Sequence, residues 1–242
     1  MINGRSPPLL VAAEVGYLDA VERLLDRGAN VNRLNLCHET ALSLAAQEGD
    51  LVVVEALLRY AGIEPDIPDS SHQTPLWWAC SEGYVGVDGR AAVVEVLLQD
   101  SRVDPAHASR VGTTPLHCAS WDGQYDVLML LLAREDIDVN CHDNAGWTPF
   151  IWAAFNGVES ILQLFLADTR VNVNAKEGKG MSGLCYAAKK GHKAIVEALL
   201  EDARVDALIK ANNGKTAIDI ASENGREEVV KLLEERTNIK ET

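Results

Sequence analysis

Hydrophobic and polar positions along this chain follow a pattern that keeps restarting. Six runs share it closely: Thr40-Ala-Leu-Ser-Leu-Ala-Ala46, Thr74-Pro-Leu-Trp-Trp-Ala-Cys80, Thr114-Pro-Leu-His-Cys-Ala-Ser120, Thr148-Pro-Phe-Ile-Trp-Ala-Ala154, Ser182-Gly-Leu-Cys-Tyr-Ala-Ala188 and Thr216-Ala-Ile-Asp-Ile-Ala-Ser222. A weaker first copy starts at Pro7 and runs to Ala13. The intervals between starts are 33, 34, 40, 34, 34 and 34 residues. A glycine stands nine places after every start, from Gly16 through Gly49, Gly83, Gly123, Gly157 and Gly191 to Gly225. A repeat of this length means one supersecondary unit copied along the chain.

Each copy predicts the same local structure. The Thr or Ser caps a helix by accepting a backbone N–H bond, and a proline just after it costs nothing in the first turn. The Ala pair lets neighbouring helices approach closely. The glycine ends the helix, because only Gly adopts the left-handed conformation freely. A second apolar segment follows, as in Leu51–Leu58, Tyr125–Leu132 and Ala194–Leu200. A polar link such as residues 136–146 then predicts short extended arms forming a hairpin. One helix–turn–helix–hairpin unit cannot bury its apolar face alone, so the copies must stack.

Repeat boundaries fall at approximately 1–34, 35–68, 69–108, 109–142, 143–176, 177–210 and 211–242. The third carries six extra residues near 83–88, between its two helices. That insert predicts a tolerated loop extension, with a contact loop as the functional alternative. The last helix, Glu227–Glu235, keeps Val229, Val230 and Leu233 for a core and is charged elsewhere, as a terminal cap requires. The first copy has Pro7 in place of Thr, which predicts a natural cap or a chain cut from something longer.

The period, the Thr-Pro-Leu-His-like opening, the Ala-Ala pair, the turn glycine, the Leu-Leu of the second helix and the following Asp-Val-Asn together resemble the ankyrin repeat. The resemblance covers roughly residues 5–235. It implies an all-α ankyrin-repeat solenoid of stacked helix-turn-helix units joined by β-hairpin-like loops, forming one domain with a concave protein-binding face. Links such as Arg102-Val-Asp-Pro105 and Arg170-Val-Asn-Val-Asn174 resemble arrays common in fungal proteins. The segment ending at Asn140 resembles the site of asparagine hydroxylation in ankyrin proteins, although the same asparagine is a common hairpin residue.

Composition narrows the function. The chain has 242 residues, 47% hydrophobic and 24% charged, which suits a folded protein. The formal charge is −14, which opposes binding to nucleic acid or anionic membrane. It is unevenly spread: residues 1–175 hold 24 acids and 10 bases, and residues 176–242 hold 12 of each. Every lysine lies at or beyond Lys176. No run approaches the eighteen or so apolar residues a membrane span needs. Five widely spread cysteines do not make a disulfide framework, which predicts reduced thiols in a cytoplasmic or nuclear protein; a monomer is expected.

Catalytic and cofactor readings find no support in the sequence. Cys37-His38 and Cys141-His142 lack a zinc spacing. His117 fits a structural histidine bonded to nearby backbone, and no phosphate loop or nucleophile elbow is present. No catalytic residue, metal or cofactor is expected. The expected function is a scaffold binding another protein, or the recognition arm of a larger NTPase-linked receptor or ubiquitin ligase.

Candidate contact residues are aromatic. All five tryptophans lie between positions 77 and 152. Trp78, Trp152 and Tyr186 share a position that is apolar in most copies, so the core is expected for them. Trp147 takes a place where other copies have Glu39, Gln73, Thr113, Met181 and Lys215. Trp121 and Phe155 stand where others have Glu14, Gln47, Ser81, Lys189 and Glu223. Usually polar positions predict exposure, and in ankyrin arrays these line the concave face. Trp121, Trp147 and Phe155, extended by Trp77, then form an exposed aromatic patch, a usual hot-spot composition. The alternative is that neighbouring units bury the rings. Lys189 and Lys190, with Lys176, Lys179 and Lys193, form a basic patch, either solvated or facing an acidic partner segment.

Overall fold

In a computed structural model of the chain, residues 6–81 and 90–239 are described. The insert near 83–88 lies outside them. The described residues form fourteen helices and no named strand. The chain divides into two compact units, Met1–Asp122 and Gly123–Thr242. The first contains α1 (Pro8–Glu14), α2 (Leu18–Asp26), α3 (Ala41–Glu48), α4 (Leu51–Leu58), α5 (Pro75–Cys80), α6 (Arg90–Gln99) and α7 (Pro115–Asp122). The second contains α8 (Tyr125–Leu132), α9 (Pro149–Asn156), α10 (Glu159–Ala167), α11 (Gly183–Lys190), α12 (Lys193–Glu201), α13 (Ala217–Glu223) and α14 (Glu227–Ile239).

The predicted caps account for the helix starts. Oγ atoms of Thr40, Thr74, Thr148, Ser182 and Thr216 accept from the backbone N–H three residues on. Pro7 offers no such bond to α1. Gly49, Gly157 and Gly191 end their helices in the left-handed conformation. At Thr114 the backbone N–H donates to Nδ1 of buried His117, so this imidazole is a structural group.

Helices of successive repeats stack in order. In the first unit α1 packs on α3, α3 on α5 and α5 on α7. In the second, α9 packs on α11 and α11 on α13, while α8, α10 and α12 form the outer row. The alanine pairs are buried at these seams, including Ala45, Ala46, Ala153, Ala154, Ala187 and Ala188. Cys80, Cys118 and Cys185 are buried, and burial pushes the Cys80 and Cys118 thiols up, so they are inert packing groups.

The links are tighter than expected. Instead of paired extended arms, each loop closes on itself: the N–H groups of Asn35, Asp69, Ser109, Asp143, Glu177 and Ala211 donate to carbonyls four residues on. Asn35, Asp69 and Asp143 also accept through Oδ1 from two N–H groups of their own loop. These side chains stand in for strand pairing. Among the described residues one isolated antiparallel bridge, Lys176 with Ser182, pairs the two arms of a link as in a hairpin. Within each unit, successive loops are joined by backbone bonds, Ser70 to Cys37, Arg110 to Ser71, Gly178 to Ala145 and Asn212 to Lys179.

A second tie uses arginine. Arg170 pairs with Asp168 and reaches back to donate to the carbonyls of Leu132 and Arg134, at the end of α8. Arg204 repeats this one unit later, pairing with Asp202 and donating to Leu166 and Asp168 at the end of α10. Arg102 pairs with Asp100 and donates to Ile63. A cation suits the negative end of a helix and satisfies its orphan carbonyls. The Arg partner holds Asp100, Asp168 and Asp202 below the usual carboxylate range. A depressed folded-state pKa adds stability that is present above the unfolded value, about 3.9, and is lost as pH falls through the folded value. Arg170→Met with Arg204→Met therefore removes about 1 kcal/mol per clamp at neutral pH, a value discounted for exposure. It also flattens the fall in melting temperature below about pH 4. Thermal melts across pH check both.

Candidate binding site

The candidate residues are placed by three local features. Trp147 follows the loop closed by Asp143, whose Oδ1 accepts from the Trp147 N–H at 2.9 Å. Trp152 and Phe155 lie on α9, four and seven residues after its capping Thr148. Tyr186 holds the Trp152 position in α11. The stacking of α9 on α11 brings these four rings together.

They form one cluster. Trp147 stacks on Trp152 with centroids 4.1 Å apart and planes 25° off parallel. It meets Tyr186 at 4.4 Å with a 35° tilt. Phe155 presents its ring nearly perpendicular to Trp147, Trp152 and Tyr186 at 5.4, 5.9 and 5.7 Å. Ile151, Ala175 and Tyr186 form the floor, against which Trp147, Phe155 and Met181 pack. Perpendicular and offset pairs are the favourable aromatic arrangements.

Two expectations are corrected. Trp147 and Phe155 are half-buried, not fully exposed, because the Tyr186 ring of the next repeat lies against them. Trp78 and Trp152 are half-buried, not core, whereas Tyr186 is 5% exposed and is core. Tyr186 and Trp152 therefore belong to the site, which the position-by-position comparison missed. Two aromatics at one position in successive copies, beside Trp147, were the signal.

Trp121 is 47% exposed and belongs to the first unit, whereas Trp147 and Phe155 belong to the second. Trp77 is half-buried; its indole N–H donates to the Thr113 carbonyl at 3.1 Å and its ring meets Trp78 edge-on at 5.3 Å. It ties its helix, α5, to the loop of the next repeat. Asn140 is consumed likewise: its amide donates to the Arg170 carbonyl and accepts from the Asn172 N–H.

Charge is arranged around the cluster. Lys189 and Lys190, in the last turn of α11, are exposed, and Lys190 Nζ lies 4.1 Å from the Phe155 ring centroid, a cation–π contact. Glu177 is buried and accepts from the Met181 N–H at 3.2 Å. Burial, with Glu177 next in importance, pushes the Tyr186 phenol up, so the ring stays neutral. Among the described residues no group of His, Cys, Asp and Glu could hold a metal ion, and no helix is long and apolar enough to cross a membrane.

This architecture has relatives. A family model described as ankyrin repeats matches in three copies, over residues 9–105, 87–177 and 151–242. The chain belongs to the ankyrin-repeat family. It is similar to ankyrin repeat domain-containing protein 63 of Mus musculus, 35% identical over 130 residues, which covers 50% of this chain and 31% of that protein. It is also similar to a probable E3 ubiquitin-protein ligase, XBOS33, of Oryza sativa, 39% identical over 83 residues, covering 34% of this chain and 16% of the relative. The chain thus spans a third or less of these relatives. Among solved structures, the ankyrin repeat domain of Bcl-3, described as a unique member of the IkappaB protein family, superposes with a TM-score of 0.79 at 28% identity, covering 95% of this chain and 98% of that one. The human ASB11 ankyrin repeat domain shares the fold, with a TM-score of 0.76 at 24% identity over 94% and 98%.

Proposed function

We propose that this chain is a protein-binding module, not an enzyme, and that it holds a partner protein against the half-buried aromatic cluster of Trp147, Trp152, Phe155 and Tyr186. The observation that carries the reading is the cluster itself. Four aromatic rings converge at first-helix and loop positions that are polar or aliphatic in most other repeats. Membership of a family of interaction modules supports it. The rings are held by one another and by the Asp143 loop, so little side-chain freedom is lost when a partner covers them. Trp121, exposed at the end of α7, is a contact of the first unit in its own right, and Trp77 acts as a brace. A partner lying across three or four repeats buries about 1,600 Å² in total. The module acts as a monomer in the cytoplasm or nucleus, and its acidic surface excludes nucleic acid and anionic membrane.

Capture of partners with the wild-type chain, compared with Trp121→Ala/Trp147→Ala, tests this. The double variant is expected to lose partners by about tenfold or more while keeping its helical signal, the usual loss for a hot-spot pair. Equal recovery by a folded double variant contradicts the proposal.

A second reading is favoured by the partial matches. The match to the rice ligase covers 34% of this chain. On that reading the chain is the recognition arm of a larger enzyme. The full gene decides it: a ligase or nucleotide-binding segment on either side supports the arm, and flanks without one support the free-standing module.

A further inference from the structure

The charges around the cluster are sorted by direction. Its carboxylates are turned inward and used. Asp143 accepts from the Ala145 and Trp147 N–H groups, and Glu177 accepts from Met181 and lies against the Tyr186 phenol. Its lysines are exposed and hold no carboxylate of the cluster. Lys189 and Lys190 are exposed, and neither has an acidic partner among the described residues. Lys179 stands exposed at the tip of the 177–181 loop, which is bonded to the Trp147 loop through Gly178 and Ala145. On the next helix, exposed Glu223 is already paired with Lys215. In a chain of net charge −14, this is an apolar surface with an unneutralised cationic rim.

Lys190 adds a second point. Its ammonium covers one face of Phe155. A solvent-exposed cation–π contact is weak and is readily exchanged for a carboxylate partner. Moving Lys190 aside would bare the Phe155 face for an apolar side chain. A cationic ligand is disfavoured, because it would compete with the chain's own ammonium for that face and meet Lys189 beside it.

We infer that the cluster recognises an acidic peptide segment bearing a large apolar side chain. Carboxylates of the segment pair with Lys189 and Lys190, and its apolar side chain packs on Phe155 and Trp147. This rests on the protein-binding reading above and names the chemistry of the partner.

A display library of random peptides, selected against the full chain, tests it. The same selection runs on Lys189→Glu/Lys190→Glu, and on Trp147→Leu with Phe155→Leu as a second cluster variant, each checked for its helical signal. The expected winners combine Asp or Glu with Phe, Trp, Leu or Met within a few positions. They bind the charge-reversed variant at least about tenfold more weakly, and their binding falls with added salt. They also lose binding to a folded cluster variant. Winners that need the cluster but are neutral or basic, or that ignore the charge reversal, overturn this inference and leave the protein-binding reading standing. Winners that ignore both the lysines and the cluster, or a selection without winners, overturn both.

Discussion

Phe150→Ala is expected to lower the stability of the chain by about 3–5 kcal/mol, the cost of emptying a large, fully buried aromatic site. Phe150 is 1% exposed and meets Phe165 edge-on at 6.2 Å. It takes the place of a leucine or isoleucine in the other copies, and the next repeat makes room for it. Gly183 stands where other copies have Pro or Ala, and a Cβ there would lie 3.0 Å from Phe150 Cε1 and 3.2 Å from the Ala154 Cβ. The two substitutions are therefore coupled. Gly183→Ala costs stability beside Phe150 and costs less beside Phe150→Leu, with an interaction of about 0.5 kcal/mol or more. Urea titration followed by circular dichroism measures the cycle, and additive effects would show that the extra ring volume and the missing Cβ are unrelated.

Gly180→Ala is expected to cost about 2–3 kcal/mol, combining a left-handed backbone with a steric clash. Gly180 has φ +75°, and a Cβ there would lie 2.8 Å from the Asn212 backbone nitrogen and also strike the Asn212 side chain. Asn212 cannot retreat cheaply. Its N–H donates to the Lys179 carbonyl at 3.0 Å and its amide donates to the Gly178 carbonyl at 3.1 Å. The same loop is tied to the Trp147 loop, so the substitution should also loosen the cluster. Partner affinity is expected to fall with stability. By contrast Gly214→Ala, with φ +80° and open space at the Cβ, should cost only the backbone strain, about 1 kcal/mol. Equal losses at the two glycines would refute the packing account.

Much of the fold was legible because each copy carries its own punctuation. Thr or Ser starts a helix, the glycine nine places on ends it, and seven repetitions remove the ambiguity of any one. The ties between copies were harder to read. Asp168-Thr-Arg170 looks like a solvated ion pair, and nothing nearby shows that the guanidinium reaches carbonyls 36 and 38 residues earlier. The hairpin arms were over-read for a similar reason. Asx bonds inside a loop compete with strand pairing, and sequence spacing does not say which prevails.

The candidate site was half legible. Comparing copies position by position marks Trp147 as unusual, and unusual positions deserve inspection. The comparison assigns exposure by what polar residues do there, however, and Trp147 is not among polar neighbours. Trp152 and Tyr186 supply faces for it to stack on, so a position that is exposed in other copies becomes half-buried in this one. Lys190 is the same lesson with charge: its place in the last turn of α11 was readable, but its seat over Phe155 depends on the stacking of two repeats.

The central claim is that a partner is held at the second-unit aromatic cluster. Nitrogen-labelled tryptophan NMR tests it most directly, since each indole N–H reports separately. On titration with a captured partner, the Trp147 and Trp152 signals are expected to shift or broaden while the braced Trp77 and Trp78 signals stay in place. Movement of Trp77 and Trp78 with Trp147 and Trp152 unchanged would contradict the account.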